Sequence, residues 1–317
     1  MNTTLTQTIY IYKKKIEMSH VRNYGIIAII MLVFACKSMK ENVTQYAPTL
    51  AEVYPTDTIL QTVARKKAMI LIAHDDDMCG MAGTISKLNK EGWEIQVLSF
   101  HASQERDEAQ VLACRNILDT VTFLDLDYSQ WRLDLNNRKP EELYLPIARE
   151  KFNQTFNQKV VQDELLKRVN DFKPSVVFTL DNEIGGYGHP EHVFISQLVL
   201  DLAKSKSMSV QYIFQSVYTP HMMSSIMERH SKRMKEWGFE GDGWEKAKYI
   251  YQVEGLPKPT TQINIESEAI EKMNYLKSYN ERERKTIGFY VPAFQEYSAE
   301  EYFKIFNREF YHVIKIN

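Results

Sequence analysis

Residues 68–77 read Ala-Met-Ile-Leu-Ile-Ala-His-Asp-Asp-Asp. The unbroken apolar run Ala68–Ala73 is what a strand buried on both faces requires. It ends abruptly in an imidazole and three carboxylates. Downstream, Met81–Lys90 has helical spacing and stops at Gly92, and Glu94–Phe100 gives a second strand. Glu105–Leu118 predicts a helix with Ala109, Leu112, Ala113 and Ile117 as its apolar positions, followed by a strand over Val121–Leu126. A helix over Val160–Phe172 is closed by Pro174. A strand over Ser175–Leu180, a helix over His189–Lys204 and a strand over Tyr212–Val217 complete the regular part. This alternation predicts an α/β fold: a mainly parallel, Rossmann-like sheet with right-handed crossovers and helices on both faces. Such sheets bind ligands outside the carboxyl ends of their strands, near a topological switch point.

A second polar cluster, Tyr187-Gly188-His189-Pro190-Glu191-His192, follows the strand at Ser175–Leu180. His189 and His192 lie three apart at a helix start, so both rings can share a face. The preceding Gly185 and Gly186 let the backbone turn sharply and approach a ligand. In the first cluster, three adjacent carboxylates repel one another unless a cation sits among them. Together the clusters supply two nitrogen ligands, one oxygen ligand and a spare carboxylate. That is the donor set of a catalytic zinc site with one position left for water, and it reads as a hydrolase. Ferrous iron suits the same ligands.

Composition narrows the class. At 317 residues the chain can hold one large α/β domain, and 44% apolar content is ample for a core. Thirty-nine basic against 41 acidic residues leave a formal net charge of −2, with no basic stripe, which argues against a nucleic-acid partner. The domain is expected over residues 61–317, with an irregular C-terminal elaboration from about residue 218. There Met222–Trp237 and Ser267–Tyr279 look helical, and Tyr249–Val253 and Gln262–Ile265 look extended. Residues 127–157 show no regular pattern, and a stretch of that length in a compact domain is often functional.

The N-terminus reads as an address. Lys13-Lys14-Lys15 and Arg22 precede the apolar run Gly25–Ala35, which is too short for a bilayer span of about 20 residues and fits a signal peptide over residues 1–35. Val33-Phe34-Ala35-Cys36 resembles the lipobox of bacterial lipoproteins, making Cys36 the expected lipid anchor and Met18 an alternative start. Several acyl chains on one residue give stable membrane attachment. The expected location is the bacterial cell envelope, with residues 36–60 as a polar tether. Cys79 and Cys114 form no disulfide pattern and are expected to be small buried apolar groups.

The two clusters carry a family resemblance. The chain resembles the PIG-L-type (LmbE-like) zinc-dependent de-N-acetylases, whose motifs read Ala-His-Pro-Asp-Asp-Glu and His-Pro-Asp-His. Its Gly-Gly-Tyr-Gly-His-Pro-Glu-His segment is similar to that of the mycothiol-pathway deacetylase. The resemblance covers roughly residues 66–205 and implies His74, Asp77 and His192 as zinc ligands. It implies Asp76 as the general base. It gives His189 the role of stabilising the tetrahedral intermediate or protonating the leaving amine, and Tyr187 that of polarising the carbonyl. Asp75 stands where the family has proline and Met78 where it has glutamate, while Glu191 replaces aspartate. The lost glutamate weakens metal binding by about tenfold or more if it supported a ligand. Arg132 and Asp134, with Arg106, fall where related deacetylases place sugar-binding residues.

The implied activity is removal of an N-acetyl group from an N-acetylglucosamine-type sugar or glycoconjugate. A zinc amidase on a different acyl-amide, and a lipid-anchored glycan-binding protein, are the alternatives.

Overall fold

The structure is a computed structural model that describes residues 40–115, 117–139 and 142–316. The signal peptide and Cys36 lie outside the described residues. Seven strands form one sheet: β1 Lys67–Leu71, β2 Glu94–Ser99, β3 Thr120–Phe123, β4 Val176–Leu180, β5 Tyr212–Val217, β6 Thr261–Asn264 and β7 Arg308–Lys315. Their order is β3-β2-β1-β4-β5-β7-β6. The first five are parallel, and β7 runs antiparallel to both β5 and β6. β1 and β4 are neighbours, with Ala68 opposite Val176 and Ile70 opposite Phe178. The chain winds outward from β1 in one direction and from β4 in the other, so the switch point lies between them. Each of the two polar clusters follows one of these strands.

Helices cover both faces. Those that matter below are α1 Ala82–Lys90, α2 Gln104–Cys114, α3 Gln158–Phe172, α4 Pro190–Lys204, α5 Pro220–Glu236, α6 Gly243–Tyr251, α7 Ala269–Ser278, α8 Glu281–Tyr290 and α9 Ala299–Ile305. The continuous apolar reading of β1 and β4 is explained by burial on both sides. Ala68, Ile70, Val176 and Phe178 belong to one core cluster, and Met69, Leu71 and Val177 to the other. Among the described residues no helix is long and apolar enough to cross a membrane.

Three expectations need correction. The segment expected as a tether is packed from Asn42 onward, within the unit that runs to the C-terminus. Val43, Tyr46 and Leu60 are buried. The Glu52 carboxylate accepts hydrogen bonds from the Thr219 hydroxyl (2.9 Å) and the His221 amide (2.8 Å) at the start of α5. Tyr249–Val253, expected as extended, is the end of α6 and its exit. Ala247 and Tyr251, four apart, are both buried, so a helical stripe outweighs the β-preference of the aromatic side chains. Finally, the regular sheet does not end at Val217: β7 pairs along all of β5 and β6 adds an edge.

Candidate metal centre

The first cluster is shaped by Asp77. Its Oδ2 accepts the amides of Ala73 (3.1 Å) and His74 (2.8 Å), folding the strand exit back on itself. Its Oδ1 is thereby aimed at His192 Nε2 (3.0 Å) and His74 Nδ1 (3.6 Å). Helix α1 follows, and its first amides, Gly83 and Thr84, donate to the two oxygens of Glu309 from β7 (2.9 and 2.7 Å). A carboxylate at a helix N-terminus is favourable on both hydrogen-bond and dipole grounds.

The second cluster is shaped by Asp181, at the end of β4. Its carboxylate accepts the amides of Glu183, Ile184, Gly185 and Gly186 at 2.6 to 3.2 Å. Gly185 has φ +62, and a Cβ there would sit 2.6 Å from that of His192, so glycine is required. The Gly185 carbonyl then accepts a hydrogen bond from His192 Nδ1 at 2.9 Å.

The two clusters meet. His74 Nδ1 lies 2.8 Å from His192 Nε2, while His74 Nε2 lies 2.8 Å from Glu191 Oε2. Glu191 accepts a proton from one side of His74, and the Gly185 carbonyl accepts one from His192. The hydrogen-bond pattern therefore assigns a lone pair to each of the two facing nitrogens. Asp77 Oδ1 adds a third. Three buried lone pairs within 3.6 Å of one another repel unless a cation lies among them. Ligand atoms around a tetrahedral zinc, with bonds of about 2.0–2.1 Å, lie about 3.3 Å apart, close to these separations. His74, Asp77 and His192 therefore fit a divalent cation, and each imidazole is oriented by a carboxylate or carbonyl as metal-ligating histidines usually are. Without the ion, burial depresses the His74 imidazole, but Asp77 and Glu191 override it and hold it well above the ordinary range. Burial likewise works against the Asp77 carboxylate, yet His192 and His74 keep it well below its usual value.

His189 also offers a nitrogen near His74 and His192, within 4.8 Å. Its ring caps α4: Nδ1 accepts the Glu191 amide at 3.2 Å. That leaves Nε2 carrying the hydrogen, buried and without a partner. Burial, then the neighbouring His192 and His74, hold this imidazole well below its ordinary pKa, so it stays neutral. A nitrogen that carries hydrogen is a poor ligand, which makes Asp77 the better third donor.

Asp76 lies in the cleft beside His192. Burial, then the charge of Asp77, raises its carboxyl, with His74 and Arg106 opposing. Tyr187 packs edge-on to His192 (5.2 Å) and stacks on Tyr290 (4.4 Å). Burial raises its phenol well above the ordinary value, keeping it protonated. The Cys79 thiol, pushed up to about 12 by burial, stays neutral and contributes no thiolate.

The residues expected to bind sugar are placed differently. The Arg132 side chain is 0% exposed and donates to Glu191 Oε1, to Asp134 Oδ1 (2.6 Å) and to the Leu143 carbonyl (3.3 Å). Its fork is spent inside the protein and presents no face to a ligand. Asp134 continues the chain of charges to Arg138 Nε at 2.8 Å. Arg106 reaches Asp75, Asp76 (3.8 Å) and Glu283 (3.5 Å), so it neutralises the acidic run from α2. Asp75, in the place of the family's proline, is buried against Arg106. Its carbonyl accepts hydrogen bonds from the Tyr279 hydroxyl (2.6 Å) and, more weakly, that of Tyr275 (3.5 Å).

Sequence reasoning undervalued Glu191, which it treated as a mild replacement, and missed Tyr128, whose hydroxyl donates to Glu191 Oε1 at 2.7 Å. It also missed Asp181, whose signal was a carboxylate directly after an apolar strand and shortly before three glycines. Glu309 carried no local signal.

No curated protein matches the chain. Among solved structures, the chain is similar to N,N'-diacetylchitobiose deacetylase from Pyrococcus horikoshii, at 15% identity and TM-score 0.43, covering 82% of this chain and 87% of that one. It is also similar to 4-carboxy-2-hydroxymuconate hydratase from Pseudomonas putida KT2440 (11%, TM-score 0.46, 78% and 96% covered). The zinc-inhibited form of teicoplanin deacetylase gives 14% identity and a TM-score of 0.45, with 78% and 98% covered. The family model described as PIG-L, GlcNAc-PI de-N-acetylase, matches residues 69–203, which hold both clusters. Over that segment, which is less than half of the chain, the sequence is similar to the PIG-L (LmbE-like) family.

Proposed function

We propose that this protein is a zinc-dependent hydrolase that removes the N-acetyl group from an N-acetylglucosamine-type sugar or glycoconjugate. The observation that carries the reading is the convergence of His74 Nδ1, His192 Nε2 and Asp77 Oδ1, with the other nitrogen of each ring already hydrogen-bonded. The match of residues 69–203 to the PIG-L family model supports a de-N-acetylase. Zinc bound by these three residues would polarise the amide carbonyl and lower the pKa of an attacking water to about 7.

The chain's own residues then divide the proton work. Asp76, its carboxyl raised by burial and by Asp77, accepts the proton of the attacking water. His189 holds Nε2–H towards the site and, being neutral, donates it to the oxygen on which negative charge develops, a contribution of about 3 kcal/mol for one such donor. The Tyr187 phenol supports the same oxygen. Asp76 then returns its proton to the departing amine, which leaves only as a neutral species. Arg132, Tyr128 and Glu191 act at one remove, fixing the orientation of His74.

Elemental analysis followed by acetate detection on a panel of N-acetylated glucosamine compounds tests this reading. One zinc per chain with acetate release is expected; bound zinc without release from any compound would leave a glycan-binding protein instead. We further propose attachment to the bacterial envelope through Cys36. A palmitate analogue should label the wild type and spare Cys36→Ala, and equal labelling of both would remove that assignment.

A further inference from the structure

One half-open cleft opens directly on the candidate metal centre, with about 590 Å³ of space that includes solvent at its mouth. Asp76, Asp77 and His192 stand at one end of it. The rest of its wall is mostly apolar: Leu180, Val217, Leu256 and Ile287, with the rings of Tyr187, Tyr218 and Tyr290, while Ser216 adds a hydroxyl. Beyond the metal end it contains no Arg, Lys, Asn or Gln and no further carboxylate. The Tyr218 hydroxyl is already spent on the Tyr290 carbonyl (3.1 Å), and the Cys79 thiol is neutral. Beyond the metal end a sugar ring lodged here would meet only the hydroxyls of Ser216, Tyr187 and Tyr290, and each of its own hydroxyls left unpaired would cost about 1–3 kcal/mol. An acetyl methyl would leave most of the space unfilled. A second pocket of about 450 Å³, partly open to solvent, shares the Cys79, Val217, Tyr218 and Tyr290 wall and is lined further by Met222, Ile226 and Phe303 and by the charged Lys272, Arg308 and Glu309. By contrast, the Tyr144 ring is 60% exposed and meets His189 edge-on at 5.4 Å, marking the opposite, solvent-facing side of the centre.

We infer that the apolar cleft is the acyl side of the site, and that the protein accepts N-acyl groups longer than acetyl, with the amine-bearing sugar on the Tyr144 side. This inference rests on the hydrolase reading above. The carbonyl sits at the Asp77–His192 end, and the alkyl chain runs past Leu256 and Ile287 towards Tyr218. Hydrolysis adds water across the C–N bond: the acyl carbon takes the hydroxyl and leaves as a carboxylic acid, and the nitrogen takes the proton and leaves as the amine.

The test compares N-acetyl-, N-butyryl- and N-hexanoyl-glucosamine, and in parallel measures binding of acetate and hexanoate to the zinc-loaded protein by calorimetry. Each buried methylene is worth about fourfold. Hexanoyl should therefore exceed acetyl by tenfold or more in kcat/KM, and hexanoate should bind correspondingly tighter than acetate. Leu256→Trp, which fills the cleft, should reduce the hexanoyl-to-acetyl ratio at least tenfold, and Ile287→Phe on a separate element provides the same readout should the first variant fold poorly. Acetyl release with equal or weaker hexanoyl release would overturn the acyl-cleft inference and leave the hydrolase standing. Failure of every amide would overturn the hydrolase reading, while the calorimetric comparison would still decide the cleft: equal binding of the two acids sinks it.

Discussion

Replacing Arg132 by Met removes a charge while keeping most of the side chain's length. The Arg132 guanidinium is wholly enclosed, and the Glu191 side chain beside it is only 4% exposed. Removing one member of such a pair costs about 3–5 kcal/mol, chiefly because the other charge stays buried. Here the survivors are not stranded. Glu191 keeps the Tyr128 hydroxyl at 2.7 Å and His74 Nε2 at 2.8 Å, and Asp134 keeps Arg138 at 2.8 Å. The loss should therefore fall at the lower end, about 3 kcal/mol. A second effect travels through His74: a less firmly held Glu191 orients the ring less well, and loss of such support typically weakens metal binding by roughly 10- to 100-fold. Urea denaturation of the metal-free protein reads the first effect, and zinc titration against a competing chelator reads the second. Arg132→Met/Glu191→Met removes both charges. It should recover part of the stability lost in Arg132→Met, with a coupling of about 1–3 kcal/mol, but not the zinc affinity. A stability loss below about 1 kcal/mol, with zinc affinity within about twofold of wild type, would show that this buried pair neither supports the fold nor positions His74.

Three further outcomes follow from the same geometry. Asp76→Asn should retain zinc and lose about 10²- to 10⁴-fold in kcat, measured by acetate release; near-normal turnover would remove Asp76 as the base. His192→Ala should lose zinc on dialysis, since two of the three donors cannot close the site; stoichiometric metal by elemental analysis would contradict the ligand set. Asp57 has one oxygen on the Leu60 amide (3.1 Å) and the other buried without a partner, and burial raises its carboxyl above the ordinary value. A carboxyl raised in the folded state contributes stability below its unfolded pKa and loses it as pH rises through the folded value. Asp57→Asn should therefore have a higher urea midpoint than wild type at pH about 8, and the gap should narrow at pH about 4; a gap that does not change with pH would refute the assignment.

The parallel half of the sheet was legible because its signal is local. Runs such as Ala68–Ala73 and Ser175–Leu180 are buried on both faces, and each ends in a polar cluster whose chemistry is visible without any contact being known. His74 and His192 could be paired because both exits fall at the switch point of a doubly wound sheet. The roles of Arg132 and Arg106 were not legible: a free Arg at a rim and a buried Arg holding a carboxylate have the same sequence. The difference lies in Glu191 and Asp75, which approach from elements 59 and 31 positions away. The strand Arg308–Lys315 escaped notice for a related reason, since its pairing with β5 spans nearly a hundred residues of the chain.

That strand bears on how much of the chain the site requires. The family match ends at residue 203, yet the first cluster is fastened largely from beyond it. Glu309 of β7 holds the start of α1, and Lys272 of α7 neutralises Glu309 at 2.5 Å. Tyr279 and Tyr275 hold the Asp75 carbonyl, and Glu283 of α8 faces Arg106. An acidic run like Asp75–Asp77 gains from such anchoring, because mutual repulsion would otherwise spread the carboxylates apart in the absence of metal. The candidate ligands all lie within the matched segment, while part of what holds the first cluster in place comes from beyond it. The C-terminal elaboration is therefore part of the candidate metal site's construction: without Glu309 and the paired tyrosines, the turn that points His74 and Asp77 at His192 would be held only by the Asp77 carboxylate on the Ala73 and His74 amides and by Arg106.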